Sequence, residues 1–213
     1  MRGKWLLGCL LALTGAHSFA GDWSGLYAGV NGGVTTMASD WYDQDDYWNR
    51  GTFRAHSSGQ SLGGQVGLNF QSGATVLGLE VDYRSGHIEK FSDLNGLELK
   101  DELKSLITLR TRFGLAIDEG LLYGTLGAAR AYSWHTWQDL PNRSKFGNYK
   151  IGVVYGFGYE RKIGARLSLR GEYVATRILS VTRRVDGPPA GLSYDYEVSN
   201  TLSHIGVGLN YHF

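Results

Sequence analysis

Residues 202–213 alternate strictly between apolar positions and polar or small positions. The apolar positions are Ile205, Val207, Leu209, Tyr211 and Phe213, and histidine, glycine and asparagine occupy the positions between them. Because successive side chains of a β-strand point to opposite faces, this segment predicts a strand with one apolar face. The strand ends on an aromatic residue, and a second aromatic residue precedes it by two positions.

Seven further segments show the same alternation. They span residues 25–34, 60–71, 74–83, 102–117, 121–133, 147–162 and 165–177. Short turn sequences follow the second, fourth and sixth of the eight strands. Long polar segments follow the other strands, over residues 35–59, 84–101, 134–146 and 178–201. An even number of strands with alternating long and short connections predicts an all-β fold, an eight-stranded antiparallel up-and-down barrel.

The facing of the fifth strand, residues 121–133, is ambiguous. We expect one face to turn outward because that orientation turns Arg130 away from lipid, whereas Leu122 and Leu126 favour the opposite orientation. The residues predicted to face outward are Tyr123, Ala129 and Ala131.

Charged residues on the polar faces decide between a soluble barrel and a transmembrane barrel. They are Glu80, Asp82, Arg110, Arg112, Glu160, Arg170 and Glu172. In a soluble sheet these residues are ordinary solvated side chains. If the apolar face meets lipid, they fill the lumen, because an arginine at the lipid midplane costs about 2–4 kcal/mol. Charges inside a narrow barrel should pair. The sequence therefore predicts a transmembrane β-barrel whose lumen is plugged by arginine–carboxylate pairs.

The expected pairs join neighbouring strands. Arg110 and Arg112 are expected to face Glu80 and Asp82. Arg170 and Glu172 are expected to face Glu160.

Composition and the amino-terminal segment agree with export. The chain has 31 glycines, 13 tyrosines and only three prolines, which suits a barrel, and its net charge of +1 does not favour nucleic acid as a partner. Residues 1–20 have a basic start at Arg2 and Lys4, an apolar core, and a small-x-small pattern ending at Ala20. We expect a signal peptide over residues 1–20 and the barrel over residues 21–213. The only cysteine, Cys9, lies in the signal segment, so thiolate metal sites and redox chemistry are excluded for the mature chain.

Both ends of the predicted barrel resemble a known family. The ending with Tyr211 and Phe213 resembles the closing strand of bacterial outer-membrane barrels, in which the barrel assembly machinery reads a terminal phenylalanine. The opening Trp23-x-Gly25-x-Tyr27-x-Gly29-x-Asn31 resembles the small porin-like outer-membrane proteins common in α-proteobacteria, which share the OmpA-type barrel.

The resemblance implies a monomer in the outer membrane of a Gram-negative bacterium. Its partners would be outer-membrane lipid and lipopolysaccharide, the assembly machinery, and a host or surface ligand bound by the loops. The implied role is structural, with surface contacts. No catalytic residue, metal site or cofactor is predicted.

Two alternative functions stay open. Some members of the resembled family bind haem, and His56, His87 and His135 in the long connections are the candidate axial ligands. The acidic residues of the first long connection could instead bind a divalent cation, although their spacing is not that of a calcium loop. They are Asp40, Asp43, Asp45 and Asp46.

The second alternative is a lipid A-modifying enzyme, which needs serine and histidine side chains that converge. Ser203 and His204 are adjacent on one strand, so they point to opposite faces and cannot pair directly. His56 and Ser57 with a nearby aspartate are a looser candidate.

Overall fold

The protein, described by a computed structural model, is a closed barrel of eight antiparallel strands that follow one another in chain order. The structure describes residues 21–43, 53–94, 97–139, 142–187 and 192–213, and side chains within 21–38, 57–86, 104–132, 149–179 and 201–213. The predicted fold class is confirmed. The strands are β1 (Gly25–Asp43), β2 (Phe53–Ser72), β3 (Thr75–Leu94), β4 (Leu97–Ile117), β5 (Gly120–Asp139), β6 (Asn142–Lys162), β7 (Leu167–Gly187) and β8 (Leu192–His212). No helix in the described part of the chain is long and apolar enough to cross a membrane.

The strand register makes the barrel narrow. A path of paired residues that starts at Gly29 of β1 and runs once around the sheet returns to β1 at Ser39, ten residues further along. The path is Gly29, Gln65, Asp82, Thr108, Ala129, Gly152, Ile178, Asn200 and Ser39. An eight-stranded barrel encloses a lumen that side chains can fill, so residues on opposite walls are close enough to touch.

The outer surface of the barrel is apolar and the lumen is mainly polar, as the alternation predicts. On β4, Leu109 is 49% exposed on the outside, and its neighbour Arg110 is fully buried in the lumen. On β8, Ile205 and Val207 face outward, while His204 and Asn210 are buried inside. The inverted arrangement, with large apolar residues outside and charges inside, is the one expected of a barrel surrounded by lipid.

The predicted facing of β5 is wrong. Tyr123, Ala129 and Ala131 are buried in the lumen, and Leu122 and Leu126 lie on the outer surface. Arg130 is therefore exposed on the outside, where its guanidinium carbon lies 4.1 Å from the centroid of the Tyr149 ring. Placing the two leucines on the lipid-facing surface is more favourable in free energy than placing one arginine there is unfavourable. The long arginine side chain can extend its charge to the membrane interface.

The four long connections are also shorter than predicted. β1 continues to Asp43 and β2 begins at Phe53, so most of residues 35–59 is strand, and the other three long segments are paired strand over most of their length as well. The physical reason is that a backbone ladder does not require apolar alternation. Beyond the apolar band the outer face of a strand no longer meets lipid, so nothing requires the apolar alternation on which the prediction rests.

Three short turns close the opposite end of the barrel. They lie at Gly73–Ala74, at Asp118–Glu119 and over residues 163–166. Gly73 has a φ of 60° and Asp118 has a φ of 52°, the left-handed conformation that tight hairpins require and that glycine and aspartate tolerate. We call this end the turn end of the barrel. The other end is called the hairpin end, and it is where β1 connects to β2, β3 to β4, β5 to β6 and β7 to β8.

Candidate functional site: the barrel lumen

Glu80 on β3 is the centre of the charged network in the lumen. Its carboxylate accepts hydrogen bonds from the Arg170 guanidinium at 2.7 Å and from the Tyr27 hydroxyl at 2.6 Å. Arg110 also donates to it, and an Arg112 nitrogen lies 3.7 Å away. Three guanidiniums thus surround one buried carboxylate, and Glu80 offsets a repulsion among them that would otherwise oppose closure of the barrel.

Glu172 on β7 forms a second junction nearer the hairpin end. Arg84 donates to one carboxylate oxygen at 2.9 Å, and Arg170 lies 3.3 Å from the same oxygen. Arg110 lies 3.4 Å from the other oxygen, so it joins Glu172 to Glu80. Arg84 also lies 2.9 Å from Asp82. The two junctions share arginines and form one network.

Glu160 on β6 forms the junction nearest the turn end. Arg112 donates to it at 2.7 Å, Ser168 at 2.5 Å and Asn210 at 2.6 Å. His212 lies 3.6 Å away. Every donor comes from a different strand, so this carboxylate ties together β4, β7 and β8 across the lumen.

Arg112 is held between two tyrosine rings. Its guanidinium carbon lies 4.0 Å from the centroid of Tyr123 and 5.3 Å from that of Tyr27. The rings fit because the residue paired with each tyrosine on the neighbouring strand is glycine. A Cβ at Gly67 would lie 2.3 Å from the Tyr27 ring, and one at Gly158 would lie 2.5 Å from the Tyr123 hydroxyl. Cation–π contacts with a desolvated arginine add to the ion pairs.

The structure brings all seven predicted lumen residues together, but several expected pairs differ. Arg110 reaches Glu80, the partner expected for it. Arg112 pairs mainly with Glu160, and Arg170 pairs with Glu80 and not with Glu160. The expected pairs joined neighbouring strands, whereas in a narrow barrel a long side chain also reaches the opposite wall.

Arg84 is a buried arginine of the lumen network that the sequence analysis missed. It is buried and completes a balanced set of four arginines and four carboxylates among the described lumen residues. The prediction placed it at the start of a loop. The signal was present, because Glu80, Asp82 and Arg84 continue the same period of two.

A cluster of buried, mainly apolar residues lies on each side of the network along the barrel axis. The layer at the turn end consists of Trp23, Val76, Ala116, Leu121 and Tyr123. The layer at the hairpin end consists of Met37, Leu106, Ala129, Ala131, Val154, Val174, Ile178 and Leu202. The charged side chains between the two layers are buried, and burial strengthens the interaction within an ion pair.

Trp23 lies at the turn end, in the segment that precedes the regular strands. It precedes β1, is fully buried, and its backbone N–H donates to the Gln71 side chain at 2.7 Å. Its ring meets the His212 ring edge-on at 5.6 Å, and the Lys162 ammonium lies 5.1 Å from its centroid. The segment before the first strand thus contributes a buried side chain to the turn end of the lumen.

The remaining candidate residues do not form a site in the described part of the chain. His56, His87 and His135 lie on β2, β3 and β5, but their side chains are outside the described residues. Asp40 and Asp43 lie on β1, but their side chains are also outside the described residues. Asp45 and Asp46 lie wholly outside the described residues. Among the described residues no group of three or more histidine, cysteine, aspartate or glutamate side chains is placed to hold a metal ion.

Ser203 and His204 point to opposite faces, as the alternation requires. The Ser203 hydroxyl accepts a hydrogen bond from Tyr173 at 3.2 Å. His204 is buried in the lumen, where its Nδ1 lies 3.0 Å from the Thr35 hydroxyl. Tyr211 and Phe213 lie on the outer surface at the turn end, with their rings edge-on at 5.1 Å.

Comparison with known proteins identifies relatives over most of the chain. A model of the family described as outer membrane protein beta-barrel domain matches residues 6–213. The 25 kDa outer-membrane immunogenic protein of Brucella canis is 27% identical over 197 residues, which are 92% of this chain and 80% of that protein.

Two solved structures share the fold at low identity. The outer membrane protein OprG of Pseudomonas aeruginosa is 17% identical with a TM-score of 0.51, over 89% of this chain and 97% of that chain. The outer membrane protease OmpT of Escherichia coli is 10% identical with a TM-score of 0.52, over 88% of this chain and 96% of that chain. At these identities the likeness concerns the fold alone.

Proposed function

This chain belongs to the outer membrane protein beta-barrel domain family, and from that membership we propose that it is a closed barrel with a structural and surface-contact role in the envelope. It is an outer-membrane protein, as its relatives are. In this proposal the barrel anchors four long hairpins at the cell surface, and the lumen carries no solute. The protein acts as a monomer that the barrel assembly machinery inserts.

The observation that carries the proposal is the layered lumen. Four arginines and four carboxylates fill its middle with ion pairs, and an apolar layer lies on each side of them. A conducting pore needs a continuous wet path, and each of these three layers interrupts it. The charged network stabilises the barrel, and its arginines and carboxylates are paired with one another among the described residues. On this basis we propose a non-enzymatic role.

The hairpins support the surface-contact part of the proposal. Among the described side chains of β1, Val34 is the last large apolar residue on the outer face, and the strand continues to Asp43. A strand rises about 3.3 Å per residue, so the hairpin reaches well beyond the lipid. The name of the Brucella canis relative describes that protein as immunogenic, which suits hairpins exposed on a cell surface.

Liposomes that contain the refolded protein should hold a potassium gradient as long as protein-free liposomes do. The expected result follows from the layered lumen, and a potassium-sensitive dye measures the leak. Gramicidin added at the end shows that the gradient was intact. A steady leak that scales with the amount of folded protein would contradict the closed lumen.

Surface labelling should place the hairpin end outside the cell. We expect a membrane-impermeant maleimide to label Asn95→Cys, between β3 and β4, on intact cells. It should label Ala74→Cys, in the turn between β2 and β3, only after the outer membrane is permeabilised. The matched pair lies at the two ends of β3, so the reverse pattern would mean that the barrel is inverted.

A further inference from the structure

Two arginines lie on the outer surface of the barrel, one on each side of β6. Arg130 on β5 is paired with Ile151 of β6, and Arg177 on β7 is paired with Val153 of β6. Both arginines are exposed. With strands about 4.8 Å apart and a two-residue offset along β6, their Cα atoms are about 12 Å apart, so both guanidiniums can reach one ligand over β6.

Both arginines lie at the same height, near the edge of the apolar band. Arg130 is ten residues beyond Gly120, where β5 begins, and Arg177 is ten residues beyond Leu167, where β7 begins. At about 3.3 Å per residue and a tilt of about 40°, ten residues raise the chain by about 25 Å along the axis. This is the height of the apolar band of a transmembrane barrel, so the arginines lie where lipid headgroups begin.

No described side chain neutralises either charge. On the outer surface of this half of the barrel, the described side chains include no carboxylate, and neither arginine forms an ion pair among the described residues. Arg130 is oriented by stacking on Tyr149, whose ring also packs 4.7 Å from that of Tyr132. The surface between the two arginines is apolar and exposed, formed by Ile151 and Val153.

We propose that Arg130 and Arg177 bind the phosphate groups of lipopolysaccharide in the outer leaflet. Guanidiniums bind phosphate through paired charge-assisted hydrogen bonds, and acyl chains pack on Ile151 and Val153. A headgroup with two phosphates fits two cations about 12 Å apart better than a phospholipid with one phosphate does. The site rests on the proposed orientation, in which the hairpin end faces outward.

The proposal is tested with purified diphosphoryl lipid A as the probe. The full barrel, refolded in zwitterionic micelles, is titrated with the lipid, and native mass spectrometry gives the apparent Kd. A basic residue near an anionic lipid surface contributes about fivefold in affinity. We therefore expect Arg130→Gln and Arg177→Gln each to weaken binding about fivefold, and the double variant about 25-fold.

The control is Arg161→Gln, an exposed arginine on β6 at the turn end. It changes net charge by the same amount and should leave the Kd unchanged. An equal loss in the control, or an unchanged Kd in the double variant, would overturn the site. Equally tight binding of dephosphorylated lipid A or of phosphatidylglycerol would overturn the assignment to a phosphorylated glycolipid. The circular dichroism of each variant shows that the barrel is folded.

Failure of the site and failure of the proposed function are distinguishable. The potassium gradient reports on the lumen and the maleimide labels on orientation, and neither depends on Arg130 or Arg177. Lipid A binding by an inverted barrel would overturn the outer-leaflet assignment. Loss of the gradient with lipid A binding intact would overturn only the closed lumen.

Discussion

Replacing Glu80 with alanine is expected to lower the free energy of unfolding by about 3–5 kcal/mol, the cost of removing one partner from a buried ion pair. Glu80 faces three guanidiniums and the Tyr27 hydroxyl, and its side chain is fully buried. Its loss leaves four buried arginines against three buried carboxylates. Reversible urea unfolding in lipid vesicles measures the difference.

The matched control for Glu80→Ala is Val81→Ala, the next residue of β3. Val81 faces the outer surface, so this change shortens an apolar side chain without touching the network. We expect a loss of about 1–2 kcal/mol, the value for withdrawing two methyl-sized groups from an apolar environment, here the lipid. If both variants lose the same amount, the lumen charges are solvated and the closed lumen is wrong.

A charge-balanced double variant separates repulsion from packing. In Glu80→Leu with Arg170→Met, three arginines again face three carboxylates, and the volume of the two side chains is largely kept. Replacing a buried ion pair by apolar residues of similar size is often neutral, so the double variant should be more stable than Glu80→Ala. The difference in the free energy of unfolding between the double variant and Glu80→Ala measures how much of the loss comes from unpaired charge.

The sequence predicts the class and the facing of most strands because lipid imposes a rule on every second residue. On β6, aromatic residues such as Tyr155 and Phe157 fall on one face and glycines on the other, and the structure keeps that division. The rule ends at the edge of the lipid. The hairpins from Asp43 to Phe53 and from Leu94 to Leu97 therefore could not be delimited from periodicity.

The facing of β5 shows how two rules compete. One rule keeps charge out of lipid and turns Arg130 inward; the other puts leucines into lipid and turns Leu122 and Leu126 outward. The leucines lie lower on the strand, within the apolar band, while Arg130 lies at its edge, where a charge costs little. The position of each residue relative to the membrane therefore decides which way β5 faces. The sequence predicts that position only when the turns at the ends of the strand are known.

The partners within the lumen depend on distances across the barrel. The alternation predicts that Arg112 and Glu160 face the lumen, but they lie on β4 and β6, which are not neighbours in the sheet. Their contact follows from the strand stagger and the glycines that admit Tyr27 and Tyr123. Neither the stagger nor the depth of a side chain is given by the spacing of residues along one strand.

Deleting Phe213 is expected to leave most of the protein unassembled in the periplasm, with folding stability nearly unchanged. Phe213 is 71% exposed on the outer surface, and its backbone N–H donates to the Leu26 carbonyl at 3.0 Å. It touches neither the charged network nor the apolar layers, so its ring contributes little to the lumen. An exposed aromatic residue at the end of the closing strand is better placed for recognition by the assembly machinery than for packing in the lumen.

Two measurements separate recognition from stability. Outer-membrane fractions from cells report assembly, and urea unfolding of the refolded protein reports stability. The control is Phe70→Ala on β2, which removes an aromatic ring exposed to a similar extent and close to the same turn end. Recognition predicts normal assembly for Phe70→Ala and for Phe213→Tyr, and loss for the deletion alone. If Phe70→Ala and the deletion fail to the same degree, the terminal ring acts as one more lipid contact, and β8 closes the barrel through its backbone pairs with β1 and β7 alone.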